Sequence, residues 1–252
     1  MGSNGDDDTT LLPCLYKEWM TLQEQELSDL LQHSLNLNKD DIDEEGVATL
    51  LESNGHNFED YVARRRRLAR MDVPGFFSQS WRTSFENSLS WMGGCRPSSY
   101  FRLIYALCGC EIESRLAKFA QDGNSSDFPL LSATQLTSID DLQRKVIAAE
   151  DKLSLRLAGL QQEVADMPLA LIARKSSPDY QLSEEAREAI GKIEEAKLCA
   201  IEEADELRLK TYGELMKILT PGQALDYVIA AKKLRLCVQA WGIEKDRERA
   251  RE

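Results

Sequence analysis

Histidine is nearly missing from this chain of 252 residues: His33 and His56 are the only two. A catalytic or metal centre built on imidazole has little to draw on, and phosphate-cradling glycine loops, G-x-S-x-G elbows and His-rich metal motifs are missing as well. No catalytic residue and no metal ligand is therefore expected. Six cysteines, at 14, 95, 108, 110, 199 and 237, are scattered without paired C-x-x-C spacing, which argues for reduced thiols rather than a disulfide framework or a zinc site. No apolar run approaches the ~20 residues of a membrane span. The opening MGSNGDDDTT is acidic and small, unlike a cleaved leader, so the expectation is a soluble intracellular protein with no membrane partner. Basic charge is also short. With 31 Lys and Arg against 43 Asp and Glu the formal net charge is −12, so the mean field repels nucleic acid, and no direct nucleic-acid contact is expected.

Proline and glycine are sparse, at 7 and 14 residues, and alternating β-branched runs are lacking. What is present instead is Ala, Leu, Glu, Lys and Arg in long stretches, which predicts an all-α fold. The expected architecture is a bundle of long antiparallel helices with a shorter-helix, aromatic-rich N-terminal half. Residues 1–10 are expected to be disordered, 11–242 to form the helical domain in halves of about 11–120 and 131–242, and 243–252 to fray as a charged tail. The first helix carries Leu12, Leu15, Tyr16, Trp19, Leu22, Leu27, Leu30 and Leu31 at helical spacing. A second, short helix follows the acidic segment 38–51, and SNGHN at 53–57 is expected to break the chain before a third helix from Phe58. One helix is expected over 76–92, ending in a corner at Gly93-Gly94, with Pro97 opening the next helix.

In the second half, Ser132 and Gln135 have capping-box spacing. A seam of Leu153, Leu157, Leu160, Val164, Met167 and Leu171 predicts helix-on-helix packing, with a kink or stop at Pro168. A further helix runs from Glu184 to about Leu219. Thr220-Pro221-Gly222-Gln223 is a helix start by both its capping box and its proline, and the last helix is expected to turn Ala224, Tyr227, Val228, Ala231, Leu234, Val238 and Trp241 inward.

The run ARRRRLAR at 63–70 departs from the acidic mean. Arg64, Arg65, Arg66, Arg67 and Arg70 suit a nuclear-import signal, a nucleic-acid contact, or a calmodulin target anchored by Tyr61, Val62, Leu68 and Met71. The simplest alternative is a solvated helix face balanced by the acids at 40–45 and by Glu59 and Asp60. In the first helix, Tyr16, Trp19 and Leu22 form a row that is either core or a reachable interface, rimmed by Glu18, Glu24 and Glu26.

Three segments in order, CLYKEWMTLQEQELSDL, FFSQSWRTSFENSLSWMGGCRPSSYFRLIYAL and LTPGQALDYVIAAKKLRLCVQAWG, resemble the plant delay-of-germination domain, which also forms the C-terminal part of TGA-type bZIP transcription factors. The resemblance covers about Pro13 to Gly242. Its most specific part is W-x-G-G-x-R-P-S: Trp91, Gly93, Gly94, Arg96, Pro97 and Ser98. About a dozen residues precede it, which places the chain, as an expectation, in the stand-alone seed-dormancy branch rather than with the zipper-bearing factors.

That resemblance implies a non-enzymatic regulator in abscisic-acid signalling, found in nucleus and cytoplasm. The partner it implies is a protein phosphatase, bound and inhibited; self-association is a further implied property. Tyr16, Glu18, Trp19 and Leu22 are the candidate partner surface. The alternatives are a transcriptional co-regulator held on DNA by a bZIP partner, and a sensor for calmodulin or for an apolar ligand between helices. The family has been connected with haem through histidines; no histidine follows His56 here, and no cofactor is expected. Gly94 is expected to hold a positive φ, and Arg96 to bond helix-end carbonyls or an acid within the bundle.

Overall fold

A computed structural model describes residues 11–36, 44–109, 131–176 and 181–251. Nine helices are described, and no strand occurs among those residues: α1 (Leu11–Asn36), α2 (Glu44–Ala69), α3 (Val73–Ser78), α4 (Ser84–Ser88), α5 (98–109), α6 (Ala133–Gln162), α7 (Leu169–Lys175), α8 (Glu184–Ile218) and α9 (Pro221–Arg249). The all-α expectation holds. The expected disordered start at 1–10 lies outside the described residues, as does Cys110.

Side-chain pairs fix the helix directions. Glu18 meets Arg64 while Glu26 meets Asn57, so α1 and α2 are antiparallel. Tyr16 meets Gln239 while Glu26 meets Lys232, so α1 and α9 are antiparallel too. Gln135 reaches the Ile218 carbonyl and Arg156 pairs with Glu203, which sets α6 against α8 in the same manner. Described residues of the two stretches 11–120 and 131–242 pack together. Leu30 of α1, Val47 of α2 and Phe101 of α5 share one core with Ile139 of α6, Leu215 of α8 and Val228 of α9. Phe76 and Phe101 are fully buried, each contributing about 1.5–3 kcal/mol of transfer free energy.

The capping boxes at Ser132–Gln135 and Thr220–Gln223 form as the spacing predicts, and Ser183 caps α8 by accepting from the Ala186 amide. Other boundaries differ from the sequence reading. SNGHN does not break the chain: α2 runs straight through it. Asn54 turns its amide back onto the Leu50 carbonyl, and Asn57 donates to Glu26 of α1, so the polar side chains that favour turns are occupied within the helix and by its neighbour.

The expected helix over 76–92 is divided into α3 and α4 by a turn in which Gln79 has φ 39°. Thr83 then restarts the chain with a capping box to Glu86. The seam of α6 holds as far as Leu160, which is buried; Val164 and Met167 are exposed because α6 ends at Gln162 and a 3-10 turn follows. Leu234 and Trp241 of α9, expected inside, are exposed, and Lys232 and Gly242 take the inner face. The tail does not begin at 243. Helix α9 continues to Arg249, held by the Asp246 carboxylate accepting from the Ser84 amide.

Candidate functional site

The Trp91–Ser98 corner lies where α2, α6 and α8 meet. Trp91 and Gly94 exchange two backbone hydrogen bonds, at 2.7 and 3.0 Å, around Met92 and Gly93, which have φ of 46° and 72°. Positive φ at both central residues marks a type I′ reversal. The demand for positive φ therefore falls on Gly93 and not on Gly94, which corrects the expectation. Gly94 is required for another reason: a Cβ there would stand 2.9 Å from the Arg208 guanidinium carbon.

Such a turn leaves carbonyls facing inward, and two arginines satisfy them. Arg208 donates through Nε to Cys95 O at 2.8 Å and through Nη2 to Trp91 O and Met92 O. Arg65 donates to Gly93 O at 2.8 Å, beside Gln79 Nε2 at 3.0 Å. Asp205 is the shared counter-ion of Arg65 and Arg208, and Arg66 Nε stands 3.7 Å from it. All three central groups are buried: Asp205 is 0 % exposed, Arg208 2 % and Arg65 6 %. Burial works against the Arg65 charge, but attraction to Asp205, helped by Tyr61, outweighs it and raises its pKa above the ordinary arginine value.

Arg96 bonds an acid of the bundle, one of its two expected roles. Its Nε reaches Glu150 at 2.7 Å and its Nη2 reaches Asp151 at 3.1 Å. Glu150 also accepts from the Ser98 amide at 2.5 Å, so a carboxylate of α6 caps the first turn of α5 just past Pro97. The Trp91 indole donates to Ser154 at 3.0 Å, and its ring faces both Arg96 and Arg208.

The basic run is largely the expected solvated, charge-balanced face: Arg64, Arg67 and Arg70 are exposed and Arg66 is half-buried, while Arg65 alone is buried. Arg64 pairs with Glu18, Arg70 with Glu202, and Arg66 with Glu206 and the Glu202 carbonyl, while Arg67 is exposed. Among the described residues the balancing charge comes from Glu18 of α1 and from Glu202, Asp205 and Glu206 of α8; the acids at 40–43 lie outside the described residues. Val62 is buried and Leu68 packs beside Ala69 and Phe76, so two of the four calmodulin anchors are already committed to the fold.

The first-helix row divides. Tyr16 is core: its hydroxyl donates to Glu86 at 2.5 Å and accepts from Gln239 at 3.3 Å. Trp19 is half-buried and stacks on Tyr61 at 4.2 Å between ring centroids; Leu22 is half-buried and Glu18 and Glu24 are exposed. Glu26 does not rim a surface patch, because it is buried against Lys232 at 2.6 Å. Burial of Lys232 lowers its pKa below the ordinary lysine value even though Glu26 opposes that shift.

Glu86 is a hub that the sequence reading missed. Burial alone would raise its pKa. Hydrogen bonds from Tyr16 and the Thr83 backbone, with the charge of Arg235, outweigh it and hold the group below the usual 4.5. Burial and the bond to Glu86 push the Tyr16 phenol up to about 12. A carboxylate with a depressed folded pKa contributes stability above its unfolded value and loses it as the pH falls through the folded one. Thermal melts of the parent should therefore fall on acidification below about pH 4.5, and Glu86→Gln should flatten that part of the profile. An identical acid limb in the variant would remove Glu86 from the account.

An apolar groove of about 890 Å³ runs between α3, α7 and the first turns of α8, lined by residues such as Phe77, Leu169, Ile172, Leu182, Ile190 and Ile193. It is peripheral, whereas the sequence reading placed a ligand between the long helices. Among the described residues no group of three His, Cys, Asp or Glu side chains is arranged to hold a metal, and no helix is long and apolar enough to cross a membrane.

The profile of the DOG1 family, described as "Seed dormancy control", matches residues 23–106, the span from α1 through the corner into α5. Protein DOG1-like 3 of Arabidopsis thaliana is 35% identical over 93% of this chain and 84% of its own length. The chain belongs to the DOG1 family. Protein DOG1-like 1 of the same plant, also 35% identical, covers 93% of the chain and 89% of its own length. The relationship thins toward Arabidopsis transcription factor TGA6, at 22% identity over 95% of the chain and 67% of that factor. Within the DOG1-family chain, the motif residues Trp91 to Ser98 are brought together by Asp205, Arg208 and Glu150, none of which was singled out from the sequence.

Proposed function

We propose that this protein is a non-enzymatic regulator of seed dormancy and germination in abscisic-acid signalling, acting in nucleus and cytoplasm by binding and inhibiting a protein phosphatase through its helical surface. The observation that carries the reading is the 35% identity to DOG1-like proteins across nearly the whole chain. The buried corner gives a regulator of this kind a rigid frame. On the first helix the reachable part of the candidate surface is Glu18, Trp19 and Leu22, flanked by exposed Lys17 and Glu24, while Tyr16 supports it from beneath. Aromatic anchors contribute to binding only where a partner can reach them, so Trp19 is the anchor and Tyr16 is not.

The second reading, a co-regulator held on DNA by a bZIP partner, is favoured by the similarity to TGA6 over 95% of the chain. Affinity capture from seed extract with the full chain separates the two. The expected result is enrichment of an abscisic-acid-pathway phosphatase whose activity falls on addition of the purified chain, with capture reduced by Glu18→Arg and Leu22→Asp. Enrichment of bZIP factors without a phosphatase would favour the second reading.

A further inference from the structure

The apolar groove between α3, α7 and α8 has the dimensions of a small-molecule site. Its floor is one stripe of α8, formed by Ala186, Ile190, Ile193 and Lys197, which at 1.5 Å per residue runs for about 16 Å. Phe77 of α3 and Ile172 of α7 stand on its walls, and its volume of about 890 Å³ lies within the range of sites that enclose a small organic ligand. The chain covers this surface poorly. No side chain of α7 is buried, and on the α8 side Leu182 and Ile190 are 52 % and 38 % exposed. Apolar surface left open in this way gains free energy when a hydrocarbon displaces its water.

The polar groups along the groove decide which molecule suits it. Among the described lining residues the charged ones are Glu194 and Lys197, one of each sign and three positions apart on α8, so their fields oppose and an ionic ligand gains little. The Lys197 ammonium stands 5.9 Å from the centre of the Phe77 ring, and Ser78 follows Phe77 on the same wall. The two lining serines have their single protons committed within the chain. Ser78 donates to Gly75 O at 3.1 Å and Ser176 donates to Ile172 O at 2.9 Å, so toward the groove both oxygens only accept. A carboxylate brings acceptors alone and would be desolvated beside Glu194. An alcohol brings a donor for a serine oxygen and an acceptor for the Lys197 ammonium. We propose that the groove binds an uncharged alcohol on a hydrocarbon body up to about 16 Å long, its hydrocarbon on Ile190, Ile193 and Phe77 and its hydroxyl at Ser78 and Lys197. The reading is independent of the phosphatase assignment, because it rests on the lining of the groove.

The test uses the full chain and the uncharged fluorophore N-phenyl-1-naphthylamine, whose emission rises on leaving water. Saturable uptake of one fluorophore per chain is expected, with displacement by farnesol at a roughly tenfold lower concentration than by farnesoate, the same hydrocarbon ending in a carboxylate. Farnesol should also raise the melting temperature. Ile190→Asp on the floor and Ala170→Asp on the α7 wall place a charge at exposed positions, so each variant should melt close to the parent and lose both uptake and the farnesol shift. Two variants on different helices keep the test open if one of them folds poorly. Absence of saturable uptake would overturn the proposal, as would full uptake in both folded variants, which would place the fluorophore elsewhere. Displacement by farnesoate at a concentration equal to or below that of farnesol would overturn it too, since Lys197 would then be receiving an anion.

Discussion

Asp205→Asn is expected to destabilise the protein by about 3–5 kcal/mol, the cost of removing one member of a buried ion group and leaving the others uncompensated. Asparagine keeps the shape and removes the charge that Arg65 and Arg208 share. Those guanidinia are 6 % and 2 % exposed and cannot turn to water without releasing the carbonyls of Trp91, Met92, Gly93 and Cys95. The loss should therefore spread from one side chain to the whole corner. Denaturant unfolding followed by circular dichroism measures it, and raising the salt concentration should recover little because the group is shielded from solvent ions. A loss under about 1 kcal/mol would show the network to be no stronger than a surface pair.

Gly93→Val should cost at least about 3 kcal/mol, combining a β-branched residue forced to positive φ with overpacking of a filled site. The two terms have separate observations behind them. The φ at Gly93 is 72°, and a Cβ there would stand 2.1 Å from Cε1 of Phe76, a ring that is 1 % exposed and has no room to retreat. The measurement is a melting curve of the variant beside the parent. A shift within a degree or two would mean that the turn can adopt another form without loss.

The helices were legible in the sequence because their signals are local. Ser132–Gln135 and Thr220–Gln223 cap the helices their spacing announces, and the Leu153–Leu160 seam packs as written. The same local logic misread SNGHN, where Asn57 finds its partner 31 positions away on α1, a distance that no window over the sequence spans. It also passed over Thr83–Glu86, a visible capping box inside what the apolar spacing presented as one helix.

The site was half legible. The glycines, Arg96 and Pro97 drew attention by their types, and the turn and ion pairs follow from those types. Asp205 and Arg208 did not, because they look like ordinary members of a charged helix. A signal was available: both continue the inward stripe of Ala200, Ile201 and Ala204 toward Thr211 and Leu215, where a charged residue needs a buried partner. The tyrosine row failed in the opposite direction, since an amphipathic stripe does not say which of its aromatics stays reachable. Tyr16 turns to Glu86 and is covered, whereas Trp19 stacks on Tyr61 at the edge.

The ion pair between Arg65 and Asp205 joins positions 140 residues apart. A ribosome delivers the arginines of α2 long before it delivers α8, so the growing chain carries a cluster of positive charge whose counter-ions have not yet been made. Closing so long a loop is slow. Until α8 emerges, the corner carbonyls lack the Arg208 donor, and Arg65, Arg66 and Arg70 lack the carboxylates of Asp205 and Glu202. A chain stopped before position 200 would leave the arginines of α2 without Asp205 and the corner carbonyls without Arg208.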